Sequence, residues 1–370
     1  MKKFFIVAGD PSGDMHASRL MQAIYNISPD TEFIGIGGRE MTKAGLKSIA
    51  AIEEMSVVGF WEVAKKYGYF KKVLEQCSNL LKNEIIDAFI PVDYPGFNIR
   101  LSRIAKENKI PVIYYIAPQL WAWGKNRAKK IATNTDLLLT VFPFEQEFFS
   151  GYGIKTVFTG HPLLDNPVFE GSFPNYKARE NIIALLPGSR EQEISQHLPV
   201  MEKIAEEFSK NNPDYKIVIA GSKSVGYDLY KSFLSRHPDW DLQNDSIELM
   251  MKAKAGLVKT GTSNLEAALC GMPFIMIYKT SPVSYFLGKR LINLEYISLV
   301  NILLKKRLIS EYIQSDIDFN NIYIELNSLL LNQERYTEVQ EQFKKIRFML
   351  GETGASKKAA EIIVDFLSKK

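Results

Sequence analysis

Four short segments of the chain hold residue types whose spacing suits work on a hydroxyl-bearing or phosphorylated ligand. Gly9-Asp10-Pro11-Ser12-Gly13-Asp14 follows an apolar run and opens a stretch of helical period. Glycine there lets the backbone turn tightly and approach a ligand, with Ser12 and Gly13 as candidate binding residues. The segment is neither G-x-G-x-x-G nor a P-loop, and a helix capped by Ser12 or Asp14 would account for it without a ligand. In Val92-Asp93-Tyr94-Pro95-Gly96-Phe97-Asn98, Asp93 ends an apolar run, where open α/β sheets present groups to ligands. A carboxylate there can act as general base on a hydroxyl, or can simply brace the Tyr-Pro-Gly turn.

The third segment, Leu186-Pro187-Gly188-Ser189-Arg190, also ends an apolar run. Gly188 and Ser189 open the backbone, and Arg190 offers forked donors to a diphosphate; a surface arginine on a simple loop is the plain alternative. The fourth, Thr260-Gly261-Thr262-Ser263-Asn264-Leu265-Glu266, leads into an Ala-rich helix. Its backbone N–H groups suit phosphate oxygens, and Glu266 suits ribose hydroxyls. Against that, Ser263-x-x-Glu266 has the form of a capping box, which needs the same carboxylate. Two further stretches, Val57–Leu74 and Tyr114–Lys130, mix aromatic and basic residues. In the former, Val58, Phe60, Trp61 and Tyr69 stand among Lys65, Lys66, Lys71 and Lys72, as at the edge of an anionic bilayer. The same aromatics could equally be core, with a solvated lysine face.

These segments need strands and helices to position them. Apolar runs at Phe4–Ala8, Phe33–Ile36, Ala88–Val92, Val112–Ile116, Leu137–Val141 and Val157–Thr159 alternate with helical stretches such as Ala17–Asn26 and Tyr69–Asn83. The alternation lapses after Asp165 and restarts with Ile182–Leu186, Ile217–Ala220, Gly256–Val258 and Phe274–Tyr278. The pattern predicts an α/β protein: an N-terminal Rossmann-like domain over 1–165, a linker over 166–180 and a second such domain over 181–340. The residues 341–370 are expected to be helical and to pack back across the domains, with a break at Gly351–Gly354.

With 46% hydrophobic and 24% charged residues, the chain can bury a substantial core. A net charge of +4 gives no reason to expect nucleic acid as a partner. The two cysteines, Cys77 and Cys270, cannot frame a disulfide scaffold or a Cys-rich zinc site and suit a reducing, cytoplasmic setting. His16, His161, His197 and His237 lack zinc-site spacing, so no metal is expected. No apolar run approaches the roughly 18 residues of a spanning helix.

Taken in order, the motifs resemble those of the lipid-A-disaccharide synthase family, inverting glycosyltransferases of GT-B fold. Besides the segments above, the resemblance rests on Gly35-Ile36-Gly37-Gly38, Met55-Ser56-Val57-Val58-Gly59, Pro118-Gln119-Leu120-Trp121-Ala122-Trp123, Pro143-Phe144-Glu145, Gly160-His161-Pro162 and Ser298-Leu299-Val300-Asn301. It implies two Rossmann-like domains with parallel sheets facing a cleft, and no cofactor. The implied reaction joins UDP-2,3-diacylglucosamine to 2,3-diacylglucosamine 1-phosphate through a β-1,6 bond. By the resemblance, Asp93 is the general base and Arg190 binds the donor diphosphate. Ser12 lines the site, Thr262, Ser263 and Glu266 hold UDP, and Asn301, Glu311 and Gln314 lie in a further matching segment. Val300 replaces the family's usual Pro, and Lys305-Lys306 stand in place of a Gly-bearing turn. The resemblance further implies a peripheral enzyme at the inner face of the cytoplasmic membrane and a homodimer with exchanged C-terminal portions. Rival readings are another UDP-sugar enzyme of this fold, such as a peptidoglycan glycosyltransferase or a UDP-sugar 2-epimerase, a nucleotide-dependent oxidoreductase, and a non-catalytic membrane adaptor.

Overall fold

The computed structural model describes residues 2–55, 67–222, 224–291 and 294–369. Two parallel sheets organise the chain. The first contains β1 (Lys2–Ala8), β2 (Thr31–Gly37), β3 (Leu46–Ala51), β4 (Ala88–Val92), β5 (Ile113–Tyr115), β6 (Leu137–Thr140) and β7 (Thr156–Phe158), in the order β3-β2-β1-β4-β5-β6-β7. The second contains β8 (Glu180–Leu186), β9 (Lys216–Ala220), β10 (Asp241–Gln243), β11 (Ala253–Lys259), β12 (Phe274–Tyr278) and β13 (Glu311–Ile313), in the order β10-β9-β8-β11-β12-β13. In each sheet the chain runs outward from a central strand, then returns and runs outward the other way. The reversal lies between β1 and β4 in the first sheet and between β8 and β11 in the second. Such a reversal leaves a crevice at the strands' carboxyl ends, where the following loops diverge.

The central strands are continuous apolar runs because both faces are covered. Along β1, Phe4, Ile6 and Ala8 pack with Ala17, Leu20 and Ile24 of the helix Pro11–Ile27. Phe5 and Val7 face the other way, into a cluster with Val73, Cys77 and Leu81 of the helix Tyr67–Asn83 and Leu101 of the helix Pro95–Glu107. The chain divides into two compact units: Met1–Pro167 with Leu291–Asn293 and Leu350–Lys370, and Val168–Arg290 with Leu294–Met349. The break at Gly351–Gly354 therefore separates two helices with different attachments. Gln333–Met349 stays with the second unit, where Gln340 donates to the carbonyls of Pro174 and Gly271. Ala355–Ser368 packs on Pro11–Ile27, and its first turn is capped by Asp165, which accepts from the N–H groups of Gly354, Ala355 and Ser356 at 2.8–2.9 Å. Among the described residues, no helix is long and apolar enough to cross a membrane.

Candidate active site

At the first reversal, the loops after β1 and β4 interlock. The cap of the helix Pro11–Ile27 is Asp10, accepting from Gly13 N–H at 2.7 Å, and not Ser12 or Asp14 as the sequence suggested. Pro11 at the first helical position fixes this start, which puts Ser12 half-buried in the opening turn and buries Gly13. Asp14 is thereby free of capping, and its carboxylate accepts instead from the N–H groups of Gly38, Glu40 and Met41, holding the turn after β2. Gly9 must be glycine, because a Cβ there would meet the Tyr94 ring at 2.1 Å. That contact brings the β4 turn against the β1 turn.

Asp93 and Tyr94 both take left-handed backbone conformations, with φ of 43° and 49°. For non-glycine residues this stores strain of about 1–3 kcal/mol each, which the surroundings must hold. Asn98, fully buried, donates to the carbonyls of Asp93, Val92 and Val7, and Tyr114 Oη donates to Asp93 O at 2.6 Å. Burial, and then the nearby Asp10 charge, push the Asp93 carboxyl up to about 7. Behind it lies a second buried acid. Glu145 caps the helix Pro143–Ser150, accepting from Val141 and Phe142 N–H and from Trp121 Nε1 at 3.0 Å, and burial pushes it up to about 8. His16 and His161 meet edge-to-face with ring centres 6.2 Å apart, and burial pushes both down to about 3, so they stay neutral.

At the second reversal the dominant charges are cationic. Arg190 is the residue before the 21-residue helix Glu191–Asn211. Glu193 organises the turn, accepting from Ser189 N–H at 3.1 Å, Arg190 Nη1 at 3.3 Å and Lys259 Nζ at 2.7 Å. Burial alone would raise the Glu193 carboxyl; Lys259 and then Arg190 and the Ser189 N–H outweigh it, and the group lies below its ordinary range. Gly188, at φ 128°, leaves room for that carboxylate, since a Cβ would sit 2.6 Å from Oε2. Ser189 O accepts from the hydroxyls of Ser222 and Ser224.

Next to it, the helix Thr262–Leu269 starts two residues earlier than a capping box on Ser263 would require. Gly261 occupies the cap position and no side chain caps it, so Ser263 lies within the first turn and Glu266 is released from capping. Burial raises the Glu266 carboxyl to about 7. Asn264 donates to Lys259 O at 2.9 Å and fixes the turn that carries Thr260 and Thr262.

Thus each reversal carries one set of the sequence-derived residues: Ser12, Gly13 and Asp93 on the first, and Gly188, Ser189, Arg190, Thr260, Gly261, Thr262, Ser263 and Glu266 on the second. A family model described as lipid-A-disaccharide synthetase matches residues 4–366. The lipid-A-disaccharide synthase of Persephonella marina is 36% identical, with 98% of this chain and 98% of that protein aligned. That of Sulfurihydrogenibium sp. is 35% identical, over 100% of this chain and 99% of its own length. The chain belongs to the lipid-A-disaccharide synthetase family. It is a UDP-sugar-dependent glycosyltransferase of lipid A biosynthesis. Among solved structures, the UDP-GlcNAc 2-epimerase from Neisseria meningitidis bound to UDP-GlcNAc aligns over 100% of both chains, with a TM-score of 0.58 and 14% identity. At that identity the likeness establishes the GT-B type fold alone.

The third segment that this synthetase family suggested is a hydrogen-bonded loop. Asn301 is buried and uses its whole amide, donating to Ile309 O and Glu311 Oε1 and accepting from Leu308 and Ile309 N–H. Glu311 also accepts from Ile297 and Ser298 N–H. Gln314 pairs with the backbone of Thr280 in both directions, at 3.0 and 2.8 Å. Lys305 itself takes the left-handed position, φ 51°, that a Gly-bearing turn would have supplied. His197 joins this region to Glu193: its Nε2 accepts from Lys279 N–H, and its Nδ1 lies 2.6 Å from Glu193 O.

Of the bilayer-edge candidates, Val58, Phe60 and Trp61 lie outside the described residues, and Tyr69 is half-buried against the cluster of Val73 and Cys77. One trio among the described residues, Glu202, Glu206 and His237, brings candidate ligand atoms within 4.8 Å of one another. Arg236 and His237 Nε2 at 2.6 and 3.0 Å from Glu202 Oε1 account for it as an ion-pair cluster. Sequence reasoning misses Asn98, Tyr114, Glu145 and Glu193 as positioning groups. Asn98 and Glu193 are within its reach, since they follow Asp93 and Arg190 by a few residues on the helices that those turns begin.

Proposed function

We propose that the chain transfers 2,3-diacylglucosamine from its UDP derivative to the 6-hydroxyl of 2,3-diacylglucosamine 1-phosphate, inverting the anomeric centre and releasing UDP. The observation that carries this reading is the full-length family match; the residues make it chemically coherent. Asp93 is the base that takes the acceptor proton as the hydroxyl attacks. A carboxyl near 7 is half ionised at neutral pH and basic enough to accept that proton, the compromise that general-base catalysis favours. The strained turn fixes its direction, so little reorganisation accompanies proton transfer.

The departing UDP gains negative charge on its diphosphate. Arg190 supplies a forked cation, and the amino end of the long helix behind it adds the positive end of a peptide dipole. Gly188 and Ser189 shape that turn, and Glu193 holds Arg190 in place. Thr260, Gly261, Thr262 and Ser263 form the nucleotide-facing turn. Glu266 accepts from the ribose hydroxyls, and that contact favours its ionised form. Ser12 and Gly13 line the acceptor side. Asn301, Glu311 and Gln314 act by holding the loop 297–314 in shape. The residues 57–74 meet the inner face of the cytoplasmic membrane, where both acylated substrates reside, and two chains associate through their C-terminal portions.

The test is UDP release from UDP-2,3-diacylglucosamine in detergent micelles, with and without the acylated monosaccharide 1-phosphate. Acceptor-dependent release with a disaccharide product is expected. Release that ignores the acceptor would overturn the transfer reading in favour of hydrolysis or an epimerase-like reaction.

A further inference from the structure

We propose that the helix Pro282–Leu291, which belongs to the second unit up to Arg290, is a lipid-contacting element that docks on an anionic membrane surface. The segment 279–291 contains Lys279, Lys289 and Arg290 and no acidic residue. Tyr285, Phe286, Lys289 and Arg290 share one half of the helix, because positions three and four apart stack along the same side. Phe286 is 55% exposed, and the Arg290 guanidinium lies 4.1 Å from its ring centre. Lys289 Nζ sits 5.9 Å from the ring of Tyr285.

A phenyl ring this exposed is unfavourable in water, and the cation beside it repels another basic protein surface. Both features fit one environment: rings at the acyl boundary, with ammonium and guanidinium groups one turn away at lipid phosphates. Phe319, Leu331 and Phe348 lack this combination. Phe319, 40% exposed with Lys203 Nζ 5.9 Å from its ring, differs in having Asp316 and Asp318 beside it. Leu331 is 83% exposed on a helix, Phe319–Leu331, that carries Glu325 and no basic residue. Phe348 is 87% exposed on a helix of mixed charge. Charge complementarity therefore selects the anionic surface as the occupant of Pro282–Leu291.

The inference rests on the reading of acylated substrates and adds a second membrane contact, separate from residues 57–74. The test is sedimentation of the full chain with vesicles of phosphatidylcholine alone or mixed with phosphatidylglycerol, for the native chain, Arg290→Glu and Phe286→Ser. Arg290→Glu should weaken binding to the mixed vesicles by roughly tenfold, and Phe286→Ser by roughly threefold, with the native chain favouring the mixed vesicles. Both positions are exposed, and UDP release in micelles should stay within about twofold for either variant. Unchanged binding of Arg290→Glu to mixed vesicles would overturn the proposal, as would native binding that ignores phosphatidylglycerol. Loss with Arg290→Glu but none with Phe286→Ser would overturn the insertion of the ring. If the native chain shows no micelle turnover, the functional reading fails, whereas the vesicle result still decides this one.

Discussion

At the first chain reversal, between β1 and β4, three acids gather beside two neutral histidines: Asp10 caps a helix, Asp93 sits on a strained turn, and Glu145 lies buried behind. At the second, between β8 and β11, the same topology presents Arg190 and Lys259 about the buried Glu193, with Glu266 on the neighbouring helix. The parallel strands and the following helices do not differ in kind. What differs is the side chain placed at each strand's carboxyl end and the buried group that holds it. Burial and then the nearby Asp10 charge raise the proton affinity of Asp93, which makes a base useful near neutrality. Cations hydrogen-bonded to one shared carboxylate are held in direction, which suits a diphosphate. One sheet plan therefore carries the proposed base in one unit and the proposed diphosphate-binding arginine in the other.

The sharpest way to break the comparison at the second reversal is Arg190→Ala. Removing a fixed cation aimed at developing charge should lower kcat about 10²–10³-fold, and steady-state assays with the acylated UDP-sugar would read it. A loss below about tenfold would mean that the diphosphate is held elsewhere. A smaller effect is expected at the first reversal from Asn98→Ala. It removes the amide that donates to the carbonyls of Asp93, Val92 and Val7, leaving Asp93 O with Tyr114 Oη, which should cost about 1–3 kcal/mol in chemical denaturation and lower turnover together. Stability lost with turnover intact would show that the left-handed turn is not needed for the chemistry.

The smallest expected effect sharpens the claim about paired acids. Protonation of Asp93 removes the base, so kcat/KM should fall as pH drops through about 7. Asp10 carries a negative charge that favours the protonated form of Asp93. Asp10→Asn keeps a helix cap while removing that charge, so the inflection should move to lower pH. A pH–rate profile of the two proteins checks it; an inflection that stays put would mean that Asp10 does not reach Asp93.

Much of this plan is legible in the sequence. The central strands are recognisable because both faces are buried and the sequence runs apolar without interruption. Three strands escape such reading, β3, β10 and β13, and all three lie at sheet edges. Edge strands bury less and carry polar residues such as Lys47, Ser48 and Asp241, so their periodicity is weak. The caps mislead for another reason. Ser263-x-x-Glu266 and Ser12 both carry capping residue types, but Pro11 and Gly261 set where the helices start, and the actual caps lie two residues upstream of each serine. Positioning groups such as Tyr114 and Glu145 act across the fold, and their roles become visible only when β4, β5 and the helix after β6 are side by side.

The most direct test of the division of labour is Asp93→Asn, with kcat and the Kd for UDP measured on the same preparation. The expected result is a fall in kcat of about 10²–10⁴-fold while UDP binding stays within about twofold, because the base and the nucleotide turn belong to different units. Near-normal turnover by the folded variant, or a parallel loss of UDP binding, would contradict it.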